Sequence, residues 1–283
     1  MNSVQDANTC CIGRFQFTVP GALAVSGRSQ SIYRVKVTTL PLPPGGPQKV
    51  ISDKLAQARV QEPEVSRALR HFELMPGIQS VWYIDNPRTP NLRELLAVKE
   101  VGDHAVVATR GGEAGKSLGV EQLVGNVLLA YVPGAKRGFC VGPGAITSEP
   151  GFNEESLIVF SRPGLPDFEL EFSTRTVREP DNETYTDLDE ERQVARDGGG
   201  TLVVLNDQLR TIAGLKGKQM WISLALPNKD PSLRFTWHFA GVAQNSSKPM
   251  INIVGRASGE QQAALQEVWE TVLLSLRTVP TGH

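Results

Sequence analysis

Hydrophobic and polar residues alternate along two segments of the chain, residues 31–39 and 167–177. The alternating apolar residues are Ile32, Tyr33, Val35, Val37, Phe168, Leu170 and Phe172. Alternation with a period of two is typical of a strand with one buried face, so each segment is predicted to be a strand. Further strands are predicted at residues 78–84, 105–109, 200–205, 218–226, 232–242 and 250–254.

Helical spacing marks four other segments. Residues 50–70 carry apolar side chains at helical intervals, and Pro63 should break that helix into two pieces. A short charged helix is predicted at residues 186–196. Closing helices are predicted at 120–131 and 259–277, each followed shortly by a proline. The apolar stripe of the last helix consists of Leu265, Val268, Trp269, Val272, Leu273 and Leu276.

The two halves of the chain share this order of elements: strands, a helix, more strands and a closing helix. Each half also opens on a similar tripeptide, Cys11-Ile12-Gly13 in the first and Cys140-Val141-Gly142 in the second. A length of 283 residues suits two domains. We therefore predict an α+β protein of two related domains, residues 1–136 and 137–283, each a mainly antiparallel sheet with packed helices.

Charge is distributed unevenly, although the net charge is only −1. Residues 1–138 contain 16 basic and 11 acidic residues, whereas residues 139–283 contain 13 and 19. Such an asymmetry can steer a charged protein partner, but the overall charge does not indicate nucleic-acid binding.

No run of 18 apolar residues is present, so no transmembrane segment is predicted. The first residues form no apolar signal region, which leaves two expectations: a cytoplasmic protein, or an exported one whose signal was removed.

Motifs for catalysis or metal binding are weak. The three cysteines and four histidines do not have zinc-ligand spacing, and no Gly-x-Ser-x-Gly motif occurs. We predict neither a metal site nor a cofactor. A hydrolase that uses Cys11 or His238 stays open as an alternative, as does a periplasmic ligand-binding or assembly module. Cys11 and Cys140 occupy equivalent places and could form a disulfide, with Cys10 left over; two buried free thiols are the alternative.

Several short motifs occur in an order that resembles one protein family. They lie at residues 11–15, 138–142, 212–217, 235–237 and 268–277. Together they resemble the immunity proteins that protect bacteria from type VI secretion lipase effectors. This resemblance implies a two-domain periplasmic protein without catalytic activity. It also implies that the protein binds a cognate phospholipase of the α/β-hydrolase type and blocks its active site.

Three segments are candidates for contact with such a partner: residues 40–48, 85–92 and 179–191. The last has seven acidic residues and no basic one. We rank it first because its charge would discriminate among partners, although a merely solvated acidic loop would have the same composition. The candidate contact residues within it are Asp181, Glu183, Tyr185 and Asp187.

Overall fold

The computed structural model describes residues 8–61, 68–84, 86, 88–89, 91–148, 153–181 and 188–280. The strands in chain order are β1 (Asn8–Ile12), β2 (Phe15–Val19), β3 (Ala24–Ile32), β4 (Val35–Pro41), β5 (Ala68–Met75), β6 (Ile78–Tyr83), β7 (Leu92–Val101), β8 (His104–Glu113), β9 (Tyr131–Pro133), β10 (Phe139–Val141), β11 (Gly144–Ile146), β12 (Glu155–Arg162), β13 (Leu165–Arg175), β14 (Thr201–Ile212), β15 (Leu215–Ala225), β16 (Ser232–Phe239), β17 (Met250–Ser258) and β18 (Arg277–Thr278). The helices are α1 (Gly46–Gln61), α2 (Ser117–Leu129), α3 (Leu188–Asp197) and α4 (Gln262–Ser275), and a short 3-10 turn (Gly259–Gln261) precedes α4.

The predicted α+β class with mainly antiparallel sheets is confirmed. Every strand pair whose register is described runs antiparallel. Most of these pairs join strands that follow one another along the chain, as short turns between antiparallel strands allow.

Two compact units share the chain, and their residues are interleaved. The first unit consists of Met1–Arg28 and Phe152–Val279, and the second of Ser29–Gly151 and Pro280–His283. The predicted domains, 1–136 and 137–283, followed chain order. In the structure, the first 28 residues instead group with the C-terminal sheet. The reason is that the hairpin of β1 and β2 supplies side chains to the core of that sheet.

The first unit is built on a sheet with strand order β14-β15-β16-β17-β13-β12, and the start of β3 lies beside β12. Helix α4 and the β1–β2 hairpin cover one face of this sheet and enclose the core. The largest fully buried side chains there are Phe15, Phe17, Phe168, Phe172, Phe235, Trp237 and Trp269. Burial of each such side chain contributes roughly 1.5–3 kcal/mol. The alternation predicted for residues 167–177 and the apolar stripe of α4 both face this core.

The second unit has a sheet with strand order β4-β8-β7-β6-β5, and the end of β3 lies beside β4. Both faces of this sheet are covered. Helix α2 and the small β9-β10-β11 sheet pack on one face, and α1 packs on the other. The central strands β7 and β8 therefore contain continuous buried runs, residues 95–98 and 105–108, in which both faces are apolar.

The repeated tripeptides adopt the same local structure in both units. Ile12 pairs with Phe15 across one hairpin, and Val141 pairs with Gly144 across the other, so each turn has two residues. The first turn residue is Gly13 or Gly142, and both have a φ of +56°. A glycine with positive φ at this position is typical of a type II′ hairpin turn.

Two predictions of local structure were wrong. Residues 31–39 form not one strand but a hairpin that turns at Tyr33 and Arg34, which have φ values of 54° and 63°. Neither residue is a usual turn former, so the sequence contains no turn signal there. In the stretch 50–70, predicted to be helical with a break at Pro63, helix α1 ends at Gln61 before the break, but residues 68–70 begin the strand β5.

Candidate partner-binding surface

The face of the first-unit sheet opposite α4 carries two rows of polar side chains. Cross-strand pairing places Arg234 opposite Arg256, and Arg256 in turn opposite Glu169. Four residues further along β16, His238 lies opposite Asn252. Since a strand rises roughly 3.3 Å per residue, the two rows are about 13 Å apart. Both rows lie on the face of the sheet that points away from the hydrophobic core.

Asp181, the first of the predicted contact residues, is attached to this face. Its backbone N–H donates to the carbonyl oxygen of Ala240 at 2.9 Å. Its carboxylate lies 3.5 Å from Nη2 of Arg175, at the end of β13. The side chain is only 29% exposed, so Asp181 is held against the sheet.

His238 has structural partners on both ring nitrogens. Its Nε2 lies 3.0 Å from the carbonyl oxygen of Asp181 and therefore donates its proton to that oxygen. Its Nδ1 lies 2.5 Å from the side-chain amide of Asn252. A general base must offer a free nitrogen to the proton that it abstracts, and neither nitrogen is free in this arrangement.

The arginine row is balanced by carboxylates from other elements. Arg234 and Arg256 would repel each other across the two strands. Glu191 of α3 forms an ion pair with Nη2 of Arg234, and Glu169 forms one with Nη1 of Arg256 at 2.6 Å. The acidic first turn of α3 also favours its helix dipole. The far end of the acidic stretch is thus held on the same face as Asp181.

A groove of about 910 Å³ opens over the arginine row. Its floor includes Ile222 and Leu224 of β15, and its rim carries both acidic and basic residues. The charged lining residues are Asp167, Glu191, Lys229, Asp230, Arg234 and Arg256. Small-molecule sites are mostly apolar, whereas this lining carries many charges. It therefore suits contact with a polar protein surface better than it suits binding of a small apolar ligand. The sequence pattern did not single out either arginine, because only cross-strand pairing brings them together.

The structure describes the other predicted contact residues only in part. Glu183, Tyr185 and Asp187 lie outside the described residues. In the segment 40–48, Leu40 and Pro41 end β4, and α1 begins at Gly46. The segment 85–92 is described only in part, and its last residue begins β7.

The cysteines differ in their surroundings. Cys10 is a free thiol in the first unit, and burial raises its pKa, an effect that the nearby guanidinium of Arg28 partly offsets. Cys140 is buried in the second unit, and its carbonyl oxygen accepts a hydrogen bond from Nε2 of Gln30 at 2.5 Å. The pairing of Cys11 with Cys140 stays a prediction.

The described part of the chain has neither a metal-binding cluster nor a helix that could cross a membrane. It contains no group of three or more histidine, cysteine, aspartate or glutamate side chains placed to hold a metal ion. None of its helices combines the length and the apolar character that crossing a membrane requires.

Three solved structures share the fold of this chain. A chain in the crystal structure of the Tle4-Tli4 complex aligns with a TM-score of 0.78 and 15% identity over 100% of both chains. The apo structure of TplEi, a type VI secretion system immunity protein from Pseudomonas aeruginosa, gives 0.74 and 14% identity over 98% of both chains. TplEi complexed with "L" peptide gives 0.72 and 15% identity, covering 99% of this chain and 100% of that one. At these identities, the similarity establishes the fold.

Sequence comparison identifies the family. A search of curated proteins finds no match. Residues 133–281, which are more than half of the chain, match the sequence profile of the Tle cognate immunity protein 4 C-terminal domain. The resemblance noted in the sequence motifs is thereby confirmed. The chain belongs to the family of Tle cognate immunity protein 4.

Proposed function

We propose that this chain binds a cognate type VI secretion phospholipase and neutralises it by blocking access to its active site. The observation that carries the proposal is the family match over residues 133–281. A structure with the same fold over the whole chain is part of a Tle4-Tli4 complex, which supports a protein partner of the Tle kind. Inhibition would then be stoichiometric and would require no reaction by the chain itself.

The absence of catalysis is part of this proposal. One of the two catalytic candidates in the sequence, His238, uses both ring nitrogens to hold Asn252 and the backbone of Asp181. That role is structural, since it positions the segment that follows β13. A hydrolase based on His238 would have to break the contact between Nδ1 and Asn252 before the ring could accept a proton, since Nε2 already carries one.

Neutralisation in the periplasm is a further part of the proposal. The resemblance to exported immunity proteins supports it. The predicted disulfide between Cys11 and Cys140 would also require an oxidising compartment. Cell fractionation of the native producer tests the location, and recovery of the chain with cytosolic markers would reject it.

We assign the first contact with the partner to the acidic segment, residues 179–191. Asp181 and Glu191, which both belong to this segment, are fixed to one face of the sheet. Charges at the rim of an interface mainly set the rate of association. A partner with a basic surface fits this segment.

Growth and binding measurements test the proposal together. Co-expression of this chain with a type VI secretion phospholipase that it recognises should restore the growth that the lipase alone inhibits, and the two proteins should co-purify. Replacing Asp181, Glu183 and Asp187 by lysine should slow association roughly tenfold or more at low salt, with a smaller change in dissociation.

A control variant carries the same change in net charge on exposed acids of the second unit, Asp53, Glu100 and Asp103. Its association rate should stay close to that of the wild type. Equal rates for wild type and the acidic-segment variant would remove that segment from the interface. Absence of any complex or rescue would reject the immunity function itself.

A further inference from the structure

A second concave site lies in the second unit, far along the chain from the acidic segment. It is a pocket of about 210 Å³ on the face of the sheet that α2 covers. Leu69 and Trp82 form its apolar wall, and Ser117 and Glu121 of α2 form another side. Arg70 and Arg93 also line it.

Strand register explains why both arginines reach this pocket. Arg70 of β5 pairs directly with Trp82 of β6, and Trp82 pairs with Leu95 of β7. Arg93 lies two residues before Leu95 and therefore on the same face. The two guanidinium groups thus share one face with the indole of Trp82.

The carboxylates that line the pocket already have partners. Glu121 accepts a hydrogen bond from Nε1 of Trp82 at 2.8 Å. Glu113 is 2.8 Å from Nζ of Lys116, and that contact lowers the pKa of Glu113. Within the described ranges, neither Arg70 nor Arg93 has a carboxylate within ion-pair distance.

The position of Arg70 is nevertheless defined. Its guanidinium carbon lies 4.6 Å from the ring centroid of Phe72, a cation–π contact that leaves the N–H groups available. The first turn of α2 has no acidic residue and no side-chain cap, which adds a weak positive potential on the same side. The pocket is therefore preorganised for an anionic group.

We propose that this pocket receives the carboxylate of an acidic residue on the surface of the effector. The proposal rests on the proposed function. Two guanidinium groups match a carboxylate geometrically, and tryptophan and arginine are the usual anchors of protein interfaces. A volume of about 210 Å³ holds one side chain and is below the roughly 300–1,000 Å³ of small-molecule sites.

The rim of the pocket defines the neighbours of that acidic residue. Leu69, which lines the pocket, is 39% exposed, and Leu118, which directly follows the pocket residue Ser117 at the start of α2, is 67% exposed. Apolar residues on either side of the carboxylate would cover these side chains. The partner segment is thus an acidic residue between two apolar ones, a chemistry opposite in charge to the target of the acidic segment.

A peptide titration tests the pocket without the effector. The probe is acetyl-Leu-Glu-Leu-amide, with acetyl-Leu-Gln-Leu-amide as the uncharged control. The indole N–H resonance of Trp82 is assigned with a Trp82→Phe variant among the four tryptophans of the full chain. The glutamate peptide should shift this resonance saturably, and the glutamine peptide should not. The shift should vanish in the Arg70→Gln/Arg93→Gln variant and persist in Arg137→Gln, which removes an exposed charge elsewhere in the same unit.

Binding to the purified effector then tests the role of the pocket. Each arginine replacement should raise the Kd roughly tenfold or more, mainly through faster dissociation, while Arg137→Gln stays within about twofold. An unchanged Kd in the double variant would overturn the assignment. Absence of wild-type binding would reject the proposed function, and the peptide titration would still decide the pocket.

A phospholipid surface offers anions to the same arginines and is the alternative to exclude. Sedimentation with vesicles of phosphatidylglycerol measures this directly. Vesicle binding that depends on Arg70 and Arg93, without a response to the glutamate peptide, would overturn the proposal in favour of a membrane contact.

Discussion

Arg14 and Glu154 form a buried ion pair in the first unit, although they are 140 residues apart in sequence. Nε and Nη2 of Arg14 donate to the two carboxylate oxygens of Glu154 at 2.7 and 2.6 Å. The two side chains are only 3% and 6% exposed. Arg14 lies in the turn between β1 and β2, and Glu154 directly precedes β12. The pair therefore attaches the N-terminal hairpin to the C-terminal part of the same unit.

Removing one partner should be costly because the other charge stays buried. Such a change costs about 3–5 kcal/mol, so Arg14→Met and Glu154→Leu should each lower the free energy of unfolding by that amount. The double variant leaves no buried charge. Nη1 of Arg14 is also buried without a hydrogen-bond partner in the described structure, which makes the intact pair expensive to bury. The double variant should therefore lie within about 2 kcal/mol of the wild type.

Urea unfolding followed by tryptophan fluorescence measures this cycle, since Trp237 and Trp269 belong to the same core. With a urea dependence of about 2 kcal/mol per molar, each single variant should lower the midpoint by roughly 1.5–2.5 M. Lys49→Met is the control, because the Lys49–Asp53 pair on α1 is about half exposed and should contribute less than about 0.5 kcal/mol. Single variants that change the unfolding free energy no more than this control would refute the buried pair.

Three further predictions concern the backbone and the thiols. Gly142→Ala should lower the free energy of unfolding by about 2–4 kcal/mol, because φ is +56° and the new Cβ would lie 2.0 Å from Oγ1 of Thr39. Gly77→Ala, with a φ of +78° and open space, should cost only about 1 kcal/mol, and equal thermal shifts would contradict the contact with Thr39. Native Cys10 should react with a thiol reagent more slowly than the same thiol in the unfolded chain at neutral pH, because its raised pKa lowers the thiolate fraction. The difference between the two rates should narrow at alkaline pH. Unfolded, non-reduced protein should show one thiol and reduced protein three, and a count of three without reduction would reject the pairing of Cys11 with Cys140.

Local patterns were sufficient for much of the secondary structure. The alternation of Phe168, Leu170 and Phe172 places all three in the core, and the stripe of α4 is buried where its spacing predicted. These predictions succeed because one buried face imposes its own period on the sequence. The family resemblance depended likewise on short motifs read in order, and several of them are turns whose glycines need a positive φ.

Other features have no local signal. The turn at Tyr33 and Arg34 lacks glycine, asparagine and proline, so the alternation continues through it undetected. Strand β7 was not predicted, since a strand buried on both faces shows a continuous apolar run instead of alternation. Strand β5 lies at a sheet edge, and only its pairing with β6 identifies it.

The sequence by itself determined the α+β class, the antiparallel strands, the closing helices and the immunity protein family, because these depend on periodicity and on motifs of adjacent residues. Only the tertiary structure decided that the first hairpin belongs to the C-terminal core, that Arg234 lies against Arg256, and that Arg70 and Arg93 share a pocket with Trp82. These relations depend on cross-strand register and on packing between segments distant in sequence. Such contacts leave no mark on the order of neighbouring residues.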